Sequence, residues 1–222
     1  MKKMGWVLGC MLLACLSFGI SFGETAQKTP QKDLQTKLSD YHTLSAVFRQ
    51  VVYNADGSVL QKSSGEMAVE RPSKFQWYIQ KPMRQMIETD GQKLWIFDPD
   101  LSQVTIRKLD QSAGKMPVLL LTHPDNYFTQ LFNITEIKQG FELVPKDKSE
   151  MFSNIKLYFN GEKLSRMVLE NQLGQKTVIR FYAVSINPEI EIVPPKTFSE
   201  DTDVIDLTKA DSTQKPQANT KG

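Results

Sequence analysis

Apolar and polar residues alternate along most of this chain, and the period of the alternation changes after the first forty residues. Leu34, Leu38 and Tyr41 recur at helical spacing, which predicts a short amphipathic helix over about residues 31–42. From Leu44 onward the period is that of β-strands, in which successive side chains point to opposite faces. The pattern therefore predicts one helix followed by a long run of strands.

Short strands and turn residues follow one another at regular spacing. Asn54-Ala55-Asp56-Gly57, Asp90-Gly91 and Asn160-Gly161 are typical hairpin turns. Regular short strands joined by such turns indicate an antiparallel meander. The first predicted strand runs from residue 44 to the turn at 54–57, and the others cover residues 59–70, 75–80, 85–89, 93–97, 103–108, 132–137, 141–145, 155–159, 164–170 and 177–184.

The segment from Lys115 to Gln130 breaks the strand rhythm. Its apolar core, Met116-Pro117-Val118-Leu119-Leu120-Leu121, predicts a short helix with the proline in its first turn, and a second helix could begin at Pro124. A large twisted sheet tends to curl, and apolar helices bury their stripes most economically inside the curve. The residues alone thus predict an α+β fold, mainly antiparallel β, in which a curled sheet packs against helices.

The first 23 residues have the pattern of a secretory signal peptide. Met1-Lys2-Lys3 precedes an apolar run that ends at Phe22, and the chain turns polar at Glu24, where we predict that the mature protein begins. Two alternatives stay open. Leu12-Leu13-Ala14-Cys15 loosely matches the sequence before a lipidated cysteine, and the apolar run could instead be an uncleaved membrane anchor.

Removal of this segment changes the composition of the chain. Cys10 and Cys15 both lie in it, so the predicted mature protein has no thiol for a disulfide, a nucleophile or a metal site. Loss of Lys2 and Lys3 reduces the 27 basic residues to 25, which equals the number of acidic residues. A neutral protein is not expected to bind nucleic acid or anionic lipid through bulk charge. Residues 24–208 suit one domain, and residues 209–222, which lack large apolar side chains, predict a disordered tail.

The sequence contains no recognisable catalytic or metal-binding constellation. His42 and His123 are the only histidines, and neither has the neighbours of a metal site. Hydrolase serine motifs and phosphate-binding glycine loops are absent from the sequence. Asp90, Asp98 and Asp100 could be a carboxylate cluster for calcium binding or acid–base catalysis, but their Gly and Pro neighbours favour turn formation. We therefore expect no enzyme activity, no metal and no cofactor.

Two aromatic motifs are the most informative part of the chain. The first is Arg71-Pro72-Ser73-Lys74-Phe75-Gln76-Trp77, and the second runs from Asp90-Gly91 through Trp95-Ile96-Phe97-Asp98-Pro99-Asp100-Leu101 to Gln103-Val104. They resemble the signature of the LolA family of outer-membrane lipoprotein carrier proteins, Arg-Pro-x-x-Phe-x-Trp followed by Asp-Gly-x-x-x-Trp-x-aromatic-Asp-Pro-Asp-Leu-x-Gln-Val. The resemblance is strongest over residues 44–104 and covers most of the predicted mature chain.

The C-terminal region departs from the family pattern. Ile190 and Ile192 precede Pro194-Pro195, where the family tends to have alternating aromatic residues. The register of the final strand is therefore left open, although residues 203–206 still resemble the closing segment of the family.

The resemblance implies an unclosed β-barrel with a lid of short α-helices over a hydrophobic cavity. It implies a monomeric periplasmic chaperone that binds the acyl chains of lipoproteins. In that scheme the inner-membrane ABC transporter LolCDE supplies the lipoprotein, and the carrier delivers it to the outer-membrane receptor LolB. No nucleic-acid partner is expected.

The resemblance also implies roles for particular residues. Arg71 stands in the position at which the family uses an arginine to hold the lid shut through backbone carbonyls; the alternative is a strand-end arginine paired with Glu70 or Glu88. Large apolar residues are expected to bind the acyl chains, although the same residue types also build ordinary cores. They are Phe75, Trp77, Trp95, Phe97, Leu119, Leu120 and Leu121.

Two other functions stay open on the sequence alone. One is an outer-membrane receptor of the LolB kind, anchored by a lipid on Cys15. The other is an envelope sensor or assembly protein that binds lipoproteins or peptides with a similar curled sheet and does not transport them.

Overall fold

The structure is a computed structural model of the chain, and it describes residues 29–109, 121–122, 130–147, 151–194 and 197–208. The predicted signal peptide and the predicted tail lie outside these ranges. So do Leu119, Leu120 and most of the segment between residues 109 and 131, called the apolar insert below. The helices expected in that insert therefore stay a prediction.

Helix α1 (Pro30–Ser39) begins at residues suited to a helix start. The hydroxyl oxygen of Thr29 accepts a hydrogen bond from the Lys32 backbone N–H, and Pro30 occupies the first turn, where it has no hydrogen bond to lose. Leu34 and Leu38 are fully buried. The predicted helix is confirmed, but it ends at Ser39, three residues earlier than the apolar spacing predicted.

In the described part of the chain, twelve strands form one sheet in the order β12-β6-β5-β4-β3-β2-β1-β11-β10-β9-β8-β7. Most pairs are antiparallel neighbours in sequence, as the turn pattern predicted, and β1 pairs with β11 to join the two halves. The strands are β1 (Thr43–Tyr53), β2 (Val59–Glu70), β3 (Lys74–Lys81), β4 (Gln85–Thr89), β5 (Lys93–Asp98), β6 (Gln103–Lys108), β7 (Phe132–Ile137), β8 (Gly140–Pro145), β9 (Phe152–Asn160), β10 (Lys163–Asn171), β11 (Lys176–Ile186) and β12 (Asp203–Asp206).

The sheet is curled. It is also unclosed, because β7 and β12 lie at its two ends and do not pair with each other. Residues 203–206, which resembled a closing segment, form β12, and this strand pairs with β6 in parallel. A 3-10 helix (Pro99–Leu101) occupies the turn between β5 and β6. The described residues contain no helix long and apolar enough to cross a membrane.

Alternation along the strands divides the sheet into two faces. The inner face carries Phe48, Phe75 and Trp77, which share one buried cluster with Leu34 and Leu38 of α1. The outer face carries the side chains between them in sequence. The hydrophobic core of the described residues therefore lies between α1 and the inner face.

The residues after β11 cross the sheet and end in β12. This closing segment comprises the described residues 187–194 and 197–208. Ile192 is only 3% exposed, and its backbone N–H donates to Glu70 Oε2 over 2.6 Å. At the other end of the segment, β12 hydrogen-bonds to β6. The Asn187 backbone N–H also donates to the Thr43 carbonyl oxygen over 2.9 Å, so hydrogen bonds attach the segment to the sheet at its start, near its middle and in β12.

Candidate functional site

The inner face is built around three stacked aromatic rings. Phe48 and Trp77 stack with centroids 3.8 Å apart, and Phe75 lies 6.0 Å from Trp77. Phe75 is fully buried and Trp77 is 7% exposed. Side chains of the protein itself therefore fill this part of the inner face.

Arg71 connects the sheet to the apolar insert. It lies at the end of β2, where its backbone N–H donates to the His42 carbonyl oxygen over 2.9 Å. Its side-chain Nε donates to the Leu121 carbonyl oxygen over 3.1 Å, and Leu121 is 1% exposed. One charged side chain thus bonds to the backbone of the insert at a buried position.

Tyr41 supports Arg71 from the other side. The Arg71 guanidinium lies 5.9 Å from the centroid of the Tyr41 ring, within reach of a cation–π interaction. The Tyr41 hydroxyl donates to the Glu162 carbonyl oxygen in the β9–β10 turn. Burial, reinforced by the Glu162 carboxylate, raises the pKa of Tyr41 to about 12. The hydroxyl therefore stays protonated and remains a donor near neutral pH.

The residues predicted to bind acyl chains do not share one surface. Phe75, Trp77 and Leu121 belong to the buried inner cluster. Trp95 and Phe97 lie on the outer face, because the register sets Trp95 opposite Glu88 and Phe97 opposite Met86. The register in turn sets Glu88 opposite Gln76, whose side chain points away from its neighbours Phe75 and Trp77.

The acidic residues of the second motif form hydrogen bonds and an ion pair with nearby groups of the protein. Asp90 Oδ1 accepts hydrogen bonds from the backbone N–H groups of Gln92 and Lys93, which confirms the predicted turn. Asp98 accepts from the Gln85 side chain, and Asp100 pairs with Arg84 over 2.6 Å. Within the described ranges, no group of three or more His, Cys, Asp or Glu residues could hold a metal ion.

The two carboxylates proposed as alternative partners of Arg71 are bonded to other groups. Glu70 pairs with Lys74 over 2.8 Å and accepts from Ile192. Burial acts to raise the pKa of Glu70, but the hydrogen bonds from Ile192 and Lys74 outweigh it and hold the pKa below its ordinary value. Glu88 accepts a hydrogen bond from the Gln76 amide.

A pocket of about 390 Å³ lies on the outer face, between the sheet and the closing segment. We call it the outer pocket. Its walls are apolar or aromatic except for Gln76 and Glu88. The remaining lining residues are Met86, Trp95, Phe97, Val193 and Phe198. The sequence suggested Glu88 only as a possible partner of Arg71 and did not mark it as a buried pocket residue, although it follows Met86 and Ile87 in the same strand.

Glu88 is a buried acid, with 5% of its surface exposed. Burial raises its pKa above the ordinary value of 4.5, and the hydrogen bond from Gln76 opposes this effect only in part. Desolvation disfavours the charged form of a carboxyl group, so the native protein holds this proton more tightly than the unfolded chain does.

Glu88 is therefore expected to make the protein less stable as the pH rises. At pH values between 4.5, the ordinary pKa, and the raised pKa of the native state, the native state binds more protons than the unfolded state. The free energy of unfolding therefore falls with increasing pH in this range. Replacement of Glu88 by Gln removes this fall, and the variant gains stability relative to the wild type as the pH increases. Denaturant unfolding from about pH 4 to about pH 8 measures the difference.

The matched control for this titration is Glu66→Gln. Glu66 also accepts from a glutamine amide on β3, that of Gln80, but it is solvent-exposed. Because this carboxylate is exposed, its replacement shows how far the loss of a surface glutamate alone affects the measured stability. Parallel profiles for the wild type and Glu88→Gln would show that Glu88 is not desolvated.

The chain matches one family over most of the residues described above. The sequence model of the family "Outer membrane lipoprotein carrier protein LolA" matches residues 39–199. An outer-membrane lipoprotein carrier protein from Azotobacter vinelandii is 35% identical over 185 residues, which cover 82% of this chain and 89% of that protein. Another from Legionella pneumophila (strain Corby) is 36% identical over 182 residues, covering 78% and 90%.

Solved structures support the fold alone. The crystal structure of an uncharacterised conserved protein from Thermus thermophilus superposes with a TM-score of 0.51 at 10% identity, and the match covers 80% of this chain and 99% of that one. The two proteins therefore share the architecture of a curled sheet with a packed helix although their sequences are only 10% identical.

Proposed function

The chain belongs to the LolA family of outer-membrane lipoprotein carrier proteins, and on that premise we propose that it is a periplasmic chaperone for lipoproteins. It binds the acyl chains of lipoproteins released from the inner membrane and delivers them to an outer-membrane receptor. The observation that carries the proposal is the family match over residues 39–199, which span nearly the whole sheet and its apolar inner face.

Acyl chains set the physical requirement for such a carrier. Each buried methylene gains roughly 0.8 kcal/mol, so a lipoprotein with several chains cannot cross water unshielded. The inner face supplies the apolar surface, and its own side chains fill it around Phe48, Phe75 and Trp77 in this structure. An acyl chain that enters there displaces protein contacts, which offsets part of the gain from burial and keeps release possible.

Arg71 is the residue that sets the balance between the closed and the open carrier. Its bond to the Leu121 carbonyl oxygen ties the described part of the apolar insert to the end of β2. Opening breaks this bond, and closure after release restores it. We assign acyl-chain contact to Phe75, Trp77 and Leu121, and we extend this assignment to Leu119 and Leu120 because they directly precede Leu121 in the sequence.

The partners follow from the same proposal. An ABC transporter of the LolCDE type supplies the lipoprotein, and a LolB-type receptor accepts it. The curated relatives carry the name of carriers, so a carrier is favoured over the receptor, the sensor or an enzyme. The periplasmic location rests on the predicted signal peptide, and release as a free protein rests on its predicted cleavage before Glu24.

Release of lipoprotein from spheroplasts tests the function. The purified chain from Glu24 onward is added to spheroplasts that hold a newly made lipoprotein, and the supernatant is assayed for that lipoprotein. We expect release of the acylated form as a complex with the carrier. The control cargo is the same lipoprotein with its lipidated cysteine replaced. Release that does not depend on acylation, or no release, would contradict a carrier function.

A further inference from the structure

The outer pocket is separate from the inner face to which we assign acyl chains. Its walls come from β3, β4, β5 and the closing segment, and the sheet lies between it and Trp77. Its volume of about 390 Å³ is in the range of sites for small organic molecules. The pocket therefore offers a second binding site with its own chemistry.

That chemistry combines aromatic walls with one buried carboxyl group. Trp95, Phe97 and Phe198 line the pocket, and Glu88 sits directly opposite Trp95 in the strand register. An organic cation is attracted both to aromatic ring faces and to a carboxylate, and the attraction grows where water is excluded. Among the described residues, no lysine or arginine lines the pocket to neutralise Glu88.

The closing segment, which supplies Val193 and Phe198 to the pocket, is acidic in sequence. Between residues 187 and 208 the sequence has a single basic residue, a lysine at position 196. Its acidic residues are Glu189, Glu191, Glu200, Asp201, Asp203 and Asp206. A concentration of one sign of charge raises the local concentration of ions of the opposite sign.

We propose that the outer pocket binds a small organic ammonium ion. The ammonium group lies against Glu88 and the face of Trp95, and the apolar body of the ligand packs against Met86, Phe97 and Phe198. This site does not depend on acyl-chain binding at the inner face, so either function can fail without the other.

Nuclear magnetic resonance of the two mature-chain tryptophans tests the site. The purified protein is titrated with phenethylammonium and, separately, with 2-phenylethanol, a neutral molecule of similar size. We expect phenethylammonium to shift the Trp95 indole signal saturably and to leave that of Trp77 unchanged. The alcohol should bind about tenfold more weakly or worse, because it lacks the charge.

Variants distinguish the contribution of the Glu88 charge to ligand affinity from that of the shape of the pocket. Glu88→Gln keeps the side-chain volume and should reduce phenethylammonium affinity about tenfold or more without changing that of the alcohol. Glu66→Gln, at the exposed glutamate bonded to Gln80, should change neither affinity. Phe198→Ala, which removes one wall, should weaken both ligands.

Three results would overturn the proposal. They are equal affinity for the alcohol and the ammonium ion, unchanged ammonium binding by Glu88→Gln, and a shift of Trp77 in place of Trp95. The spectrum of each variant shows whether it is folded. If Glu88→Gln were unfolded, the comparison of the two ligands on the wild type and on Phe198→Ala would still decide.

Discussion

Replacement of Arg71 by leucine is expected to give a carrier that loads acylated lipoprotein but releases it poorly. The wild-type Nε donates to the Leu121 carbonyl oxygen over 3.1 Å, and we assign this bond to the closed carrier. Loss of a hydrogen bond from a charged donor costs the closed state about 1.5 to 3 kcal/mol, which shifts the balance between closed and open forms by about 10- to 150-fold. The population of the open, loaded form relative to the closed form rises by that factor.

Transfer to a purified outer-membrane receptor measures this effect. Acylated lipoprotein is first bound to the wild type or to Arg71→Leu, and the fraction transferred is followed over time. Arg49→Leu is the matched control, since Arg49 also lies over a tyrosine ring, that of Tyr182, but is exposed. Normal delivery by Arg71→Leu would contradict the role assigned to Arg71.

Replacement of Trp77 by alanine is expected to cause a large loss of stability. Trp77 is 7% exposed and stacks on Phe48 at 3.8 Å. Truncation of a buried tryptophan removes its burial energy and leaves a cavity, at a cost of about 3–5 kcal/mol. If this space is where acyl chains bind, a bound chain fills the cavity and restores part of the lost stability.

Denaturant unfolding with and without an acylated peptide measures both parts of this expectation. The free energy of unfolding should fall in Trp77→Ala, and the acylated peptide should raise it more in the variant than in the wild type. Trp95→Ala is the control on the outer face, where the side chain is only partly buried. An equal effect of the peptide on all three proteins would contradict acyl binding beside Trp77.

Much of the fold could be predicted because its signals are local. Strands β2, β4, β6 and β7 begin and end at the predicted residues, since turn-forming residues mark their limits. Helix α1 was predicted from the spacing of Leu34 and Leu38. The parallel pairing of β12 with β6 was not predictable, because it joins residues about a hundred positions apart and follows no turn.

The site was predicted less completely, for a related reason. Within each strand the sequence correctly predicts that Phe75 and Trp77 share one face and that Trp95 and Phe97 share one face. Which face of one strand continues which face of the next depends on register across the sheet. Two aromatic pairs that looked equivalent in sequence therefore lie on opposite faces, and the outer pocket formed by Trp95 and Phe97 with the closing segment was not foreseen.

The location of the bound acyl chains tests the central claim most directly. Trp95→Phe leaves Trp77, on the inner face, as the sole tryptophan of the predicted mature chain. Trp77→Phe leaves Trp95, on the outer face, as the sole tryptophan. Each variant is loaded with a lipoprotein whose acyl chains carry bromine, which quenches tryptophan emission on contact. Binding on the inner face predicts strong quenching of Trp77 and unchanged emission from Trp95. Equal quenching of both, or quenching of Trp95 alone, would show that the chains bind elsewhere.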